Sequence, residues 1–152
     1  MQATIASPLG RLRLTEEGGA LTRLDFVEDE PLRPPETPLL IQAERELGEY
    51  FSGTRRGFDL PLAPQGTDFQ RRVWRALQDI PYGQTRSYAQ LAAAVGAPRA
   101  CRAVGGANGR NPLPILIPCH RVIAADGRLA GFSAGLERKE ALLELEGIHA
   151  PR

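Results

Sequence analysis

Residues 102–122 read Arg102-Ala103-Val104-Gly105-Gly106-Ala107-Asn108-Gly109-Arg110-Asn111-Pro112-Leu113-Pro114-Ile115-Leu116-Ile117-Pro118-Cys119-His120-Arg121-Val122. The run changes character twice. Its first part is rich in small residues and suits a helix that lies close against a partner. Pro112 and Pro114 then forbid a continued helix, because proline lacks the backbone donor and clashes with the preceding turn. An asparagine at such a corner, Asn111, can tie neighbouring backbone groups together. The apolar Ile115-Leu116-Ile117-Pro118 finally delivers a cysteine and a histidine side by side.

Two readings of Cys119 are open on these residues alone. Free cysteine is among the most buried residue types, so a packed structural thiol beside a surface histidine is one. The other is a nucleophile, since a thiolate forms where a neighbouring base or cation, here His120 or Arg121, lowers the thiol's pKa. Adjacent residues on one element do not face each other. On the second reading His120 therefore reaches the sulfur through a bridging water, and an acid elsewhere in the chain holds its far nitrogen.

Working outward from this run, Thr67 or Asp68 caps a helix whose inner face takes Phe69, Val73, Trp74 and Leu77, and which stops before Pro81-Tyr82-Gly83. A second helix is expected over about 87–95, with Tyr88, Leu91, Ala92 and Val95 at or near its inner face. Gly96-Ala97-Pro98 turns the chain into a third, about 99–108. Two short helices joined by a tight glycine-containing turn make a helix-turn-helix, a unit that can be purely structural. Beyond His120 come a short strand at 122–124, an Asp126-Gly127 turn and a small-residue loop, Gly131-Phe132-Ser133-Ala134-Gly135. A closing helix over about 136–146 buries Leu142, Leu143 and Leu145, stops at Gly147 and places Glu146 near its end.

Toward the N-terminus the period changes to two. Residues 2–6, 10–15 and 20–27 alternate polar and apolar positions, as an antiparallel meander with one apolar face does. The acidic, proline-rich 28–38 is a loop. Residues 39–51 show helical spacing through Leu40, Ala43, Leu47 and Phe51. The expected fold is thus an N-terminal α/β module of antiparallel strands plus a helix, followed by a mostly helical C-terminal domain containing the helix-turn-helix. A proline-containing, turn-like stretch at 58–66 sets the boundary, giving domains at 1–62 and 63–152. The first carries no catalytic constellation and is expected to brace the second.

The 152 residues are 42% hydrophobic and carry a net charge of +1, which by itself implies no acidic partner. The charge is unevenly spread. Residues 1–65 hold seven basic and eleven acidic residues (−4), residues 66–125 eight and two (+6), and residues 126–152 four and five (−1). The basic third contains Cys119, and such a block is either a solvated face or the footprint of a phosphate-binding surface. Lys139 is the single lysine among 19 basic residues, so phosphate contacts there would be the forked kind arginine makes. Two cysteines do not make a disulfide framework, which favours a reduced, intracellular setting, taken as the cytoplasm. No signal-peptide pattern or 18-residue apolar run is present, so no membrane partner is expected. Cys101, Cys119, His120 and His149 lack the spacing of a zinc site, and no metal or other cofactor is expected.

The run at 102–122, and its surroundings over roughly 69–147, resembles the signature of the O6-alkylguanine-DNA alkyltransferases, the methylated-DNA–protein-cysteine methyltransferases. The resemblance implies direct, stoichiometric repair: an alkyl group leaves O6-alkylguanine in duplex DNA, with O4-alkylthymine a further candidate, and ends on Cys119. It implies minor-groove entry of the helix-turn-helix, against the major-groove habit of most such motifs. It also implies that the target nucleotide is flipped into a pocket. By the same resemblance Arg102 is the finger that fills the hole left by the base, with Arg99, Ala103, Gly105 and Ala107 on the DNA-facing helix. Tyr88 donates to the departing guanine, and His120 takes the thiol proton with Glu146 orienting it. Val122, Phe132, Ser133, Ala134, Asn111 and Pro114 surround the base, Asn111 holding the helix-turn-helix against the active-site turn. The partner is alkylated double-stranded DNA and the chain is expected to act as a monomer.

Two positions depart from the family pattern. Phe132 stands where tyrosine is common and Ala134 where glycine is frequent, and the added methyl at 134 narrows the room for bulky O6-groups. Three other classes fit the residues less well. A cysteine hydrolase would show a protease-like signature around Cys119, and none is there. A non-catalytic lesion binder would lack the cysteine. A transcription regulator would need a further module that 152 residues do not display.

Overall fold

The computed structural model describes residues 1–129 and 131–150, so Ala130 and the last two residues of the expected second domain lie outside the described residues. The chain divides into two compact units, Met1–Gln65 and Gly66–Arg152.

In the first unit, β1 (Gln2–Ile5), β2 (Arg11–Glu17) and β3 (Ala20–Val27) form an antiparallel sheet with β2 in the middle. The alternation on β2 does what period two requires, burying Leu12 and Leu14 while Arg11 and Arg13 stay toward solvent. A register shift between Thr15 and Glu16 interrupts the ladder. Helix α1 (Pro38–Phe51) starts where Thr37 accepts from the Leu40 N–H at 3.1 Å, with proline at its first position. Its buried stripe is Leu40, Ala43, Leu47 and Tyr50. The expected Phe51 is only partly buried, because four residues past Leu47 overshoots the face that Tyr50, at three, meets.

In the second unit, α2 (Asp68–Gln78) opens with a capping box in which Thr67 and Gln70 satisfy each other's backbone donors, and buries Val73, Trp74 and Leu77. Phe69 is only partly buried and lies under the Arg72 guanidinium, 5.6 Å from the ring centre. Helix α3 (Tyr88–Ala94) opens with a second capping box, Ser87 with Gln90, and ends before Gly96 at φ 76°. Helix α4 is Cys101–Gly109, beginning two residues later than the spacing predicts because Pro98 and the uncapped Ala100 delay it. The Trp74 Nε1–H donates to the Ala107 carbonyl at 2.8 Å, tying α2 to α4.

Two strands of two residues each then pair in parallel: β4 (Arg86–Ser87) and β5 (Val122–Ile123). The pairing joins the start of α3 to the segment just after Cys119. Helix α5 (Leu136–Leu145) closes the unit, burying Lys139, Leu142 and Leu143, while Leu145 is only partly buried. Among the described residues no helix is long and apolar enough to cross a membrane, and no group of three or more His, Cys, Asp or Glu side chains could hold a metal ion.

Candidate active site

Cys119, His120 and Arg121 form a single 3-10 turn after Pro118, and all three are buried. The approach is strained. Ile115 sits at φ 73°, a left-handed conformation that a β-branched residue adopts only when its surroundings impose it. Asn111 supplies part of that constraint: its Nδ2 donates to the Ile117 carbonyl at 2.8 Å and its Oδ1 accepts from the Leu113 N–H at 3.0 Å. The Cys119 N–H donates to the same Ile117 carbonyl at 2.8 Å, so one oxygen fixes both the asparagine and the cysteine. Pro114 is buried and pairs with Ile117 in an isolated bridge.

His120 is fully buried, and its Nε2 lies 2.7 Å from Glu146 Oε2. A carboxylate only accepts, so Nε2 carries the hydrogen and Nδ1 presents the lone pair. Nδ1 is buried with no hydrogen-bond partner among the described residues. Burial holds the imidazole below its usual pKa, against the pull of Glu146, so the ring is neutral and Nδ1 is a base.

Glu146 caps the C-terminus of α5 and gathers more than His120. Its Oε1 accepts from Arg121 Nε at 2.8 Å and from the Gly83 N–H at 3.2 Å, and its Oε2 accepts from Arg121 Nη2 at 3.0 Å. Arg121 Nη1 donates to the Ile80 carbonyl at 2.7 Å, and the guanidinium lies over Tyr82, 5.8 Å from the ring centre. The cation beside Cys119 in sequence is therefore committed to the carboxylate instead of the sulfur. This corrects the expectation that Arg121 could lower the thiol's pKa: burial dominates and pushes Cys119 up to about 11. A hydrogen bond from Asn111 and the charge of Lys139 pull in the other direction. At rest the sulfur carries its proton, and a nucleophile appears only when a base removes it.

Tyr88, the first residue of α3, is half-buried, and both burial and the facing Cys119 hold its phenol above its usual pKa. Its ring lies along Gly105 of α4, where even a β-carbon would stand 3.6 Å from the ring. Arg102 and Ala103 are exposed on the first turn of α4, and Arg99 is exposed just ahead of it. Ala107, expected on that same face, is buried. Four residues on from Ala103 its side chain has rotated into the packing against α2, so it is no part of the exposed surface.

Val122 is buried and its carbonyl accepts from Lys139 Nζ at 2.6 Å, leaving that oxygen one further lone pair. Ser133 is exposed, and Phe132 and Ala134 are half-buried, on the loop before α5. That loop is held by the Gly135 N–H to the Phe132 carbonyl at 2.9 Å and by Arg138 Nη1 to the Ala134 carbonyl at 3.2 Å. Lys139 also belongs to this site, though no local motif marks it. Its one signal was compositional: a lone lysine in an otherwise all-arginine set, where a compact charge tolerant of burial suits the position better than a planar fork.

Residues 68–148 match the DNA-binding domain of the 6-O-methylguanine DNA methyltransferases, and residues 1–64 match their ribonuclease-like domain. The chain is 52% identical over 153 residues to a methylated-DNA–protein-cysteine methyltransferase of Mycobacterium tuberculosis H37Rv, covering 97% of this chain and 93% of that protein. It is 47% identical over 155 residues to the constitutive methylated-DNA–protein-cysteine methyltransferase of Bacillus subtilis 168, covering 95% and 94%. The crystal structure of Mycobacterium tuberculosis OGT in complex with DNA matches with a TM-score of 0.88 at 50% identity, over 99% of this chain and 94% of that one.

Proposed function

The chain belongs to the 6-O-methylguanine DNA methyltransferase family, and from that premise we propose that it repairs duplex DNA by moving the alkyl group of O6-alkylguanine onto its own Cys119. The observation that carries the reading is the buried His120–Glu146 pair at 2.7 Å, set directly after a buried thiol, with an Nδ1 that has no hydrogen-bond partner among the described residues.

The buried His120–Glu146 pair supports the following steps. The Cys119 S–H proton passes through a bridging water to His120 Nδ1, and Glu146 stabilises the imidazolium through the opposite nitrogen. The thiolate attacks the alkyl carbon in line, so the S–C bond forms as the C–O6 bond breaks and guanine leaves with the electron pair. Tyr88 supplies the proton that neutralises the leaving base. Its raised pKa keeps the phenol protonated until that moment.

Duplex DNA hides the alkyl group in its stack, so the nucleotide is flipped out before transfer. In this reading Arg102, Arg99 and Ala103 meet the minor groove and Arg102 fills the gap left by the base. Asn111, Pro114, Val122, Phe132, Ser133 and Ala134 surround the flipped base. Residues 63–152 thus carry the chemistry, and the protein works as a monomer in the reducing cytoplasm, where its thiol stays free. A labelled methyl group should move from methylated duplex to the protein. The Cys119→Ala variant should bind the same duplex within a few-fold but take up no label, and label on any other residue of that variant would refute the assignment.

A further inference from the structure

In the sequence Pro81-Tyr82-Gly83 does no more than stop a helix, yet the fold wraps residues 80–83 around the outer side of the Arg121–Glu146 pair. The Ile80 carbonyl accepts from Arg121 Nη1 at 2.7 Å, and the Gly83 N–H donates to Glu146 Oε1 at 3.2 Å. Tyr82, between them and half-buried, touches both halves of the pair's surroundings. Its ring lies under the Arg121 guanidinium, 5.8 Å from the ring centre, and its hydroxyl donates at 3.2 Å to the carbonyl of Leu145, the last residue of α5 and the one before Glu146. A cation over an aromatic face is held there, more firmly the less water it sees, and the Arg121 side chain is almost enclosed.

The charged and titratable groups that face His120 come from three elements: Arg121 and Cys119 from its own turn, Glu146 and Lys139 from α5, and Tyr88 of α3 across the cysteine. Glu146 favours the protonated ring, whereas Arg121 and Lys139 oppose it. The carboxylate is shared. The more closely Arg121 holds it, the less of its negative charge acts on His120.

We propose that Tyr82 is a positioning residue for alkyl transfer: with its ring on Arg121 and its hydroxyl on the end of α5, it holds the guanidinium on Glu146 and so keeps His120 a neutral base at the thiol. The inference rests on the repair reading above and deepens it by naming a residue that acts through Arg121. Tyr82 touches neither sulfur nor flipped base and exchanges no proton. Without the ring, Arg121 loosens, more of the Glu146 charge reaches His120, and the imidazole keeps its proton to higher pH. The rising limb of transfer against pH then moves upward, because the thiol finds its base only after His120 is free.

The test reads His120 directly. The chain has two histidines, and His149 is exposed, so ring 1H–15N NMR of the DNA-free protein between pH 4.5 and 8 follows His120 with His149 as internal reference. Tyr82→Leu, which keeps an apolar side chain but has no aromatic face, should raise the His120 midpoint by about half a unit or more, the order a partly desolvated cation–ring contact supplies. Tyr82→Phe keeps the ring and should shift it less than half as far. In an Arg121→Met background Tyr82→Leu should add no further shift, since the effect passes through the guanidinium. Should Arg121→Met fail to fold, the contrast between leucine and phenylalanine decides the question. Single-turnover methyl transfer on the rising limb should be about threefold slower in Tyr82→Leu at a given pH, the fold-change of a half-unit shift. A residue that merely packs would leave the midpoint in place. An unmoved or lowered His120 midpoint in Tyr82→Leu, an equal shift in Tyr82→Phe, or an undiminished shift when residue 121 is methionine would each overturn the proposal. A raised midpoint in Tyr82→Leu while wild type takes no methyl from DNA sinks the repair reading and keeps the positioning of His120. Methyl transfer with coincident His120 titrations sinks the positioning and keeps the repair reading.

Discussion

Arg121 grips Glu146 with two nitrogens, Nε on Oε1 at 2.8 Å and Nη2 on Oε2 at 3.0 Å, and so fixes the carboxylate that orients His120. The side chains are almost fully enclosed, at 9% and 0% exposure. Removing one partner of a buried, hydrogen-bonded ion pair strands the other charge, at a cost of about 3–5 kcal/mol. Arg121→Met should therefore lower unfolding stability by that order in denaturant titrations, and also slow transfer by freeing Glu146 to turn. A loss under about 1 kcal/mol would show that the grip adds little to the fold.

Acid should weaken the fold through His120. Its folded pKa is lowered by burial, so between that value and the unfolded 6.5 the unfolded chain binds the extra proton. The sign follows: this contribution is fully present above about pH 6.5 and is lost as pH falls through the window below it. Denaturant midpoints from pH 7.5 to 5.5 should decline in wild type and flatten in His120→Asn. Parallel declines in both proteins would place the effect elsewhere.

Asn111→Ala should cost stability and activity together. It leaves the Leu113 N–H without its acceptor and takes one of two donors from the Ile117 carbonyl, at about 1–3 kcal/mol for a buried group left unsatisfied. The Cys119 N–H shares that carbonyl, so the turn carrying the sulfur should loosen as well. Denaturant titration and the single-turnover rate measured side by side should both fall. A slower reaction at full stability would mean Asn111 acts on the thiol alone.

Arg102→Ala should slow transfer from duplex far more than transfer from free O6-methylguanine base, because only the duplex must hold a nucleotide out of its stack, a cost of a few kcal/mol. Equal slowing on both substrates would remove Arg102 from the finger role.

Helix starts were legible in the sequence wherever a cap announces them. Thr67 marks the start of α2 within a residue, and α3 begins one residue after the expected 87. Strands β1 to β3 follow from alternation. The paired strands β4 and β5 are not legible as a pair, since two-residue elements whose partners lie 36 positions apart leave no periodic trace. The position of Cys119 and His120 was evident from their neighbours, and Glu146 came through resemblance. Their coupling to Arg121, Ile80 and Gly83 depends on chain returns that local sequence does not encode. Ala107 was misplaced because small residues look alike on either face of a helix. Lys139 was noticed as an oddity of composition, but its burial only appears once α5 is folded against the Cys119 turn.

In the proposed reaction Cys119 is consumed. Attack on an alkyl carbon leaves a thioether, which lacks the acyl or phosphoryl centre that water can attack to regenerate a covalent catalyst. Cys101, the other cysteine, is exposed at the start of α4, and a second thiol could restore Cys119 only by displacing its alkylated sulfur. The most direct measurement mixes a known amount of protein with excess duplex carrying labelled O6-methylguanine, without any added cofactor, and counts methyl groups moved per chain. The expected result is a plateau at about one, with the label on the Cys119 peptide; a plateau well above one, or label elsewhere, would contradict consumption of Cys119.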